Sequence, residues 1–140
     1  MNTSFEFFPP KTEKGKENLL KITKKLSAFS PEYFSVTYGA GGSTREGTVE
    51  TCVAIKKIGQ EARPHLSGIG ASKTAIKEIL NEYKKNGLKR IVALRGDLPS
   101  GLGGLGDFPY ALDLIKFIKK IEGNFSIEVA AYPEVHPDAE

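Results

Sequence analysis

The chain has no tryptophan, one methionine and one cysteine, Cys52. A lone cysteine excludes an intrachain disulfide and suits a reducing cytosol. Only two histidines occur, His65 and His136. With Cys52 they form no pair at metal-motif spacing, so no metal centre is expected. No apolar run approaches the roughly 20 residues that span a bilayer. Met1-Asn2-Thr3-Ser4 lacks the basic-then-apolar pattern of a secretory leader. The expected location is therefore cytoplasmic, with no membrane partner. Neither sign of charge dominates: 20 Lys and Arg against 17 Asp and Glu leave a net charge of +3. That is too mild to argue for nucleic acid, though it would not hinder anionic cofactors. Lys11, Lys14, Lys16, Lys21, Lys24 and Lys25 fall mostly on the outer, solvated face of one helix.

Strand and helix signals alternate along the whole length. Residues 4–8 read as a strand that Pro9 and Pro10 stop at once. Leu19, Ile22, Leu26 and Phe29 recur at helical spacing and predict an amphipathic helix over about 13–29. Residues 33–38, aromatic and β-branched, predict a second strand. A Gly-rich turn and the capping box Ser43-x-x-Glu46 open a second helix with Val49, Cys52 and Ile55 inward. Residues 62–67 predict a third strand despite Pro64. Ser72 caps a third helix carrying Ile76, Ile79, Leu80 and Tyr83, and Gly87 ends it. Residues 89–94 predict a fourth strand, followed by a long Gly-rich loop to Asp107. A fourth helix carries Leu114, Ile115, Ile118 and Ile121, with Gly123 just past its end. Residues 125–131 predict a fifth strand. Such alternation in one domain, 1–140, demands a parallel sheet with right-handed crossovers. Two α/β architectures meet it, an open doubly wound sheet or part of a (β/α)8 barrel.

The carboxyl ends of these strands collect the polar residues: Glu6, then Thr37 and Tyr38, then His65, then Arg95, Gly96 and Asp97, then Tyr132, Glu134 and His136. In a parallel barrel those ends meet on the catalytic face. Glu6 stands alone among Phe5, Phe7 and Phe8. Side chains alternate along a strand, so Ser4, Glu6 and Phe8 share one face. At a sheet edge Glu6 would face water. Turned inward, burial would raise its pKa and suit it to general-acid work.

Two motifs mislead. Gly101-x-Gly103-x-x-Gly106 has dinucleotide-fingerprint spacing. The true fingerprint lies in the tight turn between a strand and its helix. Here Arg95 to Ser100 separates it from the strand, and Asp107-Phe108-Pro109 from the helix, so a mobile loop or lid is the expectation. A different parallel-sheet enzyme that binds a nucleotide through this loop is an alternative. Arg95-Gly96-Asp97 matches a cell-adhesion tripeptide by coincidence.

Five blocks carry a resemblance: Ser-Phe-Glu-Phe-Phe-Pro-Pro at 4–10, Ser-Val-Thr-Tyr-Gly-Ala at 35–40, Arg-Pro-His-Leu at 63–66, Ala-Leu-Arg-Gly-Asp-Leu-Pro at 93–99 and Ala-Ala-Tyr-Pro-Glu-Val-His-Pro at 130–137. In this order they resemble the methylenetetrahydrofolate reductase family. The resemblance covers the whole chain but only the N-terminal part of that family's catalytic (β/α)8 TIM-type barrel, about five strands and four helices. It implies FAD as a non-covalent cofactor, NADH or NADPH as reductant, and methylenetetrahydrofolate as substrate in one-carbon metabolism and methionine biosynthesis. It implies Glu6 as the general acid and Asp97 as the group that tunes the flavin and orients the folate. Thr37, Tyr38 and Ala40 would contact the flavin or the nicotinamide. His65, Arg95, Gly96, Tyr110, Ala111, Tyr132, His136 and Ala139 would line the FAD site. A closed barrel takes about 250 residues, so strands one and five would be left as open edges. A homo-oligomer or further barrel segments would complete it. The alternative is a non-catalytic fragment or assembly module that does not bind FAD stably alone.

Overall fold

The computed structural model describes residues 2–38, 45–97, 104–121, 124–131 and 134. Its elements are β1 (Ser4–Phe7), α1 (Glu13–Leu26), a 3₁₀ turn (Ser27–Phe29), β2 (Tyr33–Val36), α2 (Arg45–Lys57), β3 (Ala62–Ser67), α3 (Lys73–Lys85), β4 (Arg90–Leu94), α4 (Ala111–Lys120) and β5 (Ser126–Val129). Local chemistry sets several of the boundaries. Thr12 caps α1, its Oγ1 accepting from Gly15 N at 3.0 Å. Ser72 caps α3 as its position predicts, accepting from Ala75 N at 3.2 Å. The Ser43 capping box and Gly123 lie outside the described residues.

The five strands pair in parallel in the order β1-β2-β3-β4-β5. This order decides between the two architectures. A doubly wound sheet reverses its order at a switch point and carries helices on both faces. Here no reversal occurs, and right-handed crossovers stack every helix on one face. The arrangement is that of a TIM-type barrel, of which five strands and four helices are present. Pro64 is accommodated because β3 pairs with β2 over Ala62–Pro64 and with β4 over His65–Ser67. The proline stands where the ladder changes partner, so its missing N–H costs little.

Alternation gives the sheet two distinct faces. Phe5, Phe7, Phe34, Val36, Ala62, Leu66, Ile91 and Ala93 point to the helices, where they meet Leu19, Val49, Cys52, Ile55, Ile76, Ile79, Leu80, Tyr83, Leu114 and Ile118. Phe5 and Phe7 stack on Phe34 with centroids 5.8 and 5.6 Å apart. Each such pair adds about 1 kcal/mol beyond its area burial. The opposite face carries Glu6, Ser35, Arg63, His65 and Glu128, as the register requires.

One expectation about the core needs correction. The stripe Leu19–Ile22–Leu26–Phe29 holds in part: Leu19 is buried and Leu26 packs against the core, but Ile22 and Phe29 do not join them. Leu19 and Thr23 are buried, whereas Ile22 is 38% and Phe29 70% exposed. α1 ends at Leu26 and Phe29 falls in the 3₁₀ turn, so the helical phase no longer directs it inward. Thr23 is tolerated in the core because its hydroxyl donates to Leu19 O at 2.8 Å. No helix among the described residues is long and apolar enough to cross a membrane.

Candidate functional site

The site grows from the polar face of the sheet. Cross-strand register aligns Glu6 with Ser35 and Ser35 with Arg63. His65 stands two residues farther along β3, on the same face. Glu6 Oε2 lies 3.2 Å from His65 Nε2. The same oxygen accepts from Ser35 Oγ at 3.4 Å, at the long end for such a bond. The His65 backbone is fixed from behind, because the buried Tyr83 hydroxyl donates to its carbonyl at 2.8 Å. Burial holds the His65 imidazole below its ordinary pKa of 6.5, and the Glu6 carboxylate opposes that shift.

The interior setting expected for Glu6 is not what the structure presents. Its side chain is 54% exposed. The aromatic residues of β1 that pack, Phe5 and Phe7, lie on the other face, with the helices. On the same face Ser35, Arg63 and His65 are buried, so the exposure is that of Glu6 on its edge strand. Its surroundings are polar partners, not an aromatic box.

Beside this pair runs a second one that the sequence reading did not single out. The Arg63 guanidinium pairs with the Glu128 carboxylate across β4. It also stacks 3.6 Å above the Tyr33 ring centroid. Arg63 is 3% exposed. Arg63 Nε and Glu128 Oε2 are buried without a hydrogen-bond partner among the described residues. The signal was available: alternation puts Arg63 on the face of His65, and Glu128 is the one acid inside an apolar strand. Ser35 was overlooked for the same reason.

The remaining candidates cluster at the carboxyl ends of the strands. Thr37 follows β2 and is buried, and its Oγ1 has no hydrogen-bond partner among the described residues. Its main chain is held at both ends: Thr37 N donates to Phe7 O at 2.9 Å, and Thr37 O accepts from Thr48 Oγ1 at 2.8 Å. Tyr38 is half-buried against the core, and that burial pushes its hydroxyl pKa up. Arg95, Gly96 and Asp97 follow β4. Arg95 O accepts from Ser67 Oγ at 3.0 Å and from Ile69 N at 2.8 Å. Gly96 adopts φ +82°, a left-handed conformation that favours glycine. Asp97 is exposed, and its carboxylate makes no bond to a described residue, Glu6 included. Tyr110 immediately precedes α4 and is 59% exposed, and Ala111 is the helix's first residue. Their placement at a helix start is the expected one. Ala40, Tyr132, His136 and Ala139 lie outside the described residues.

The Gly-rich loop after β4 has a structural explanation at its far end. Gly70 N donates to Leu105 O at 3.0 Å, and Asp107 N to Ala71 O at 3.0 Å. Asp107 Oδ2 accepts from Lys73 N at 2.8 Å, at the start of α3. Gly106 sits at φ +70°, where a Cβ would come within 2.7 Å of Ala71 O. Leu105, Gly106 and Asp107 thus lie against the turn before α3. Gly101 and Gly103 lie outside the described residues.

The family profile of methylenetetrahydrofolate reductase matches residues 1–140. The chain is 48% identical over 140 residues to a 5,10-methylenetetrahydrofolate reductase of Pectobacterium carotovorum, covering 99% of the chain and 46% of that protein. It is 45% identical to the Escherichia coli protein of the same description, with the same coverage. It is 41% identical to a Zea mays methylenetetrahydrofolate reductase (NADH), covering 97% of the chain and 24% of that protein. The chain therefore spans about half the length of the bacterial relatives it matches. Among solved structures, Streptococcus suis SuiB bound to S-adenosylmethionine superposes with a TM-score of 0.51 at 10% identity, covering 95% of the chain and 42% of that protein. At that identity the likeness concerns the fold alone.

Proposed function

The chain belongs to the methylenetetrahydrofolate reductase family, and on that premise we propose that it is one portion of a flavin-dependent reductase. In this reading residues 1–140 form a single stretch of barrel. The substrate is methylenetetrahydrofolate and the product methyltetrahydrofolate. The observation that carries the reading is the Glu6 carboxyl group, held at Oε2 on the polar face of a family-matched barrel sheet.

The residues present fit a flavin. Thr37 Oγ1 is a buried hydroxyl in want of a partner. The first residues of α4 offer amide groups near Tyr110 and Ala111, a setting that favours anions such as a pyrophosphate. Thr37, Tyr38, His65, Arg95, Gly96, Tyr110 and Ala111 would hold FAD, joined by Ala40, Tyr132, His136 and Ala139. When bound, FAD would supply the hydride transfer, taking the hydride from NADH or NADPH and passing it to the one-carbon unit.

The chain's own contribution is acid chemistry and orientation. Glu6 would protonate a nitrogen of the folate's five-membered ring, so that the C–N bond opens to an electrophilic iminium. Asp97, exposed and uncommitted, would orient the pterin and tune the flavin's electron affinity through its charge. A second reading rests on the open sheet: β1 and β5 each pair on one side only among the described residues. In that reading the chain is an assembly module that holds FAD only when further strands, from a second copy or from other barrel segments, cover the polar face.

The test is the visible spectrum of the purified chain after incubation with FAD and removal of free cofactor. Retained flavin, with NADH oxidation that supports folate reduction in the parent and not in Glu6→Gln, is the expected result. Retained flavin with equal folate reduction by both proteins overturns the assignment of Glu6. Absence of flavin in the spectrum supports the assembly-module reading.

A further inference from the structure

Glu6 has two carboxyl oxygens in unlike settings. Oε2 meets His65 Nε2 at 3.2 Å and Ser35 Oγ at 3.4 Å. No described residue bonds Oε1, and the side chain is 54% exposed. One oxygen is tethered to the sheet and the other is presented.

We propose that His65 is a positioning residue: as the neutral Nε2–H tautomer it holds, with Ser35, Oε2 of Glu6, so that Oε1 is the oxygen that carries and delivers the proton. This rests on the reductase reading above and names the group that aims its acid. The argument is geometric. A protonated carboxyl group has one O–H and one carbonyl-like oxygen. Ser35 donates to Oε2 and His65 Nε2 stands 3.2 Å from it; with the imidazole N–H as a second donor, Oε2 becomes the carbonyl-like oxygen and the proton is left to Oε1. The imidazole keeps its place because the strand beneath it is locked by Tyr83. A neutral ring is consistent with the burial of His65. It also leaves the shared oxygen its donors without placing a second positive charge beside Arg63.

The other groups on this face do not take the role. Tyr33 and Ser35 come from β2, Arg63 from β3 and Glu128 from β5. Arg63 and Glu128 are committed to each other. β4 presents Val92 and Leu94, with Arg95 and Asp97 beyond its end. Glu6 is therefore the acid that His65 meets.

With only two histidines in the chain, ring-nitrogen NMR reads the pair directly. The probe is the ¹⁵N-labelled chain without cofactor, and the His65 signals are those lost in His65→Gln. The expected result near neutral pH is a neutral ring protonated at Nε2. Glu6→Gln should then lower the His65 titration midpoint by about one pH unit, because the carboxylate that favours the cation is gone. Ser35→Ala should leave that midpoint in place. A ring protonated at Nδ1, a cationic ring near neutral pH, or an unmoved midpoint in a folded Glu6→Gln chain overturns the proposal. The tautomer is read on the parent chain, so a variant that fails to fold does not remove the test. None of these spectra needs flavin. Failure to bind FAD would count against the reductase reading and leave the pairing to be judged on its own spectra.

Discussion

Gly96 rests directly against Ser67: a Cβ at position 96 would fall inside the van der Waals envelope of Ser67 Oγ. The two residues close the carboxyl end of the sheet between β3 and β4, since Ser67 Oγ also donates to Arg95 O at 3.0 Å. Two separate costs therefore follow from adding one methyl group. The φ of +82° strains any residue with a Cβ, and the serine must turn away from its acceptor.

Gly96→Ala should destabilise the chain by about 2–3 kcal/mol, from backbone strain of about 1–2 kcal/mol and a lost hydrogen bond of about 1 kcal/mol. Urea denaturation measures it. In a Ser67→Ala background, which has already lost that bond, Gly96→Ala should cost only the backbone part, about 1–2 kcal/mol. No further loss in that background would mean that the backbone conformation costs nothing here.

Asp107→Ala removes the carboxylate that accepts from Lys73 N at the start of α3. That group caps an amide and faces the positive end of the helix. Its loss should cost about 1 kcal/mol, and Asp107→Asn should keep the acceptor and cost less. The denaturation midpoints of the two variants, ranked against the parent, check the order.

Much of this fold was legible because each element carried its own local instruction. Ser72 announced α3, the Val49–Cys52–Ile55 spacing announced the buried face of α2, and both hold. Barrel type was not legible from periodicity, because strand order is a long-range property. Only the register of five strands excludes the doubly wound alternative. At the site, Glu6 and His65 were both found, but the interior setting expected for Glu6 was not. A strand pattern says which residues share a face and not what covers it. The phenylalanines flanking Glu6 in sequence are its neighbours along the chain and lie across the sheet from it in space. Arg63 and Glu128 were missed because 65 residues separate them along the chain, and no local pattern links such a pair.

The Arg63–Glu128 pair should behave as a buried pair on the arginine side and a weaker one on the glutamate side, where the side chain is 36% exposed. Glu128→Gln leaves Arg63 uncompensated. The full penalty for a buried pair, about 3–5 kcal/mol, falls to about 1–2 kcal/mol once solvent reaches the acid. Arg63→Met with Glu128→Leu removes both charges and should cost less than Glu128→Gln alone. A double-mutant cycle in urea gives the coupling directly. Additive losses would mean that the two charges do not stabilise each other, and that the Tyr33 stack alone holds the guanidinium.

Cys52 gives the alkaline limit of stability. Its thiol is fully buried in the core, and burial pushes its pKa far up. The unfolded thiol ionises near the ordinary value of about 8.5. Below that value both states hold the proton and the thiol leaves stability independent of pH. Above it the unfolded chain releases a proton that the folded chain retains, so stability falls as pH rises. The buried Tyr83 hydroxyl, also raised by burial, adds to the fall from about pH 10. Urea midpoints should therefore be flat through neutrality and decline above about pH 8.5. Cys52→Ala should cost about 1 kcal/mol at neutral pH through the small cavity it leaves, yet show a shallower decline between about pH 8.5 and 10. Alkylation provides the independent check. The native thiol should resist iodoacetamide at mildly alkaline pH and react at once in urea. Rapid labelling of the native chain would show that the sheet and α2 part often enough to expose the thiol, and the alkaline decline would then be set by that opening and not by global unfolding.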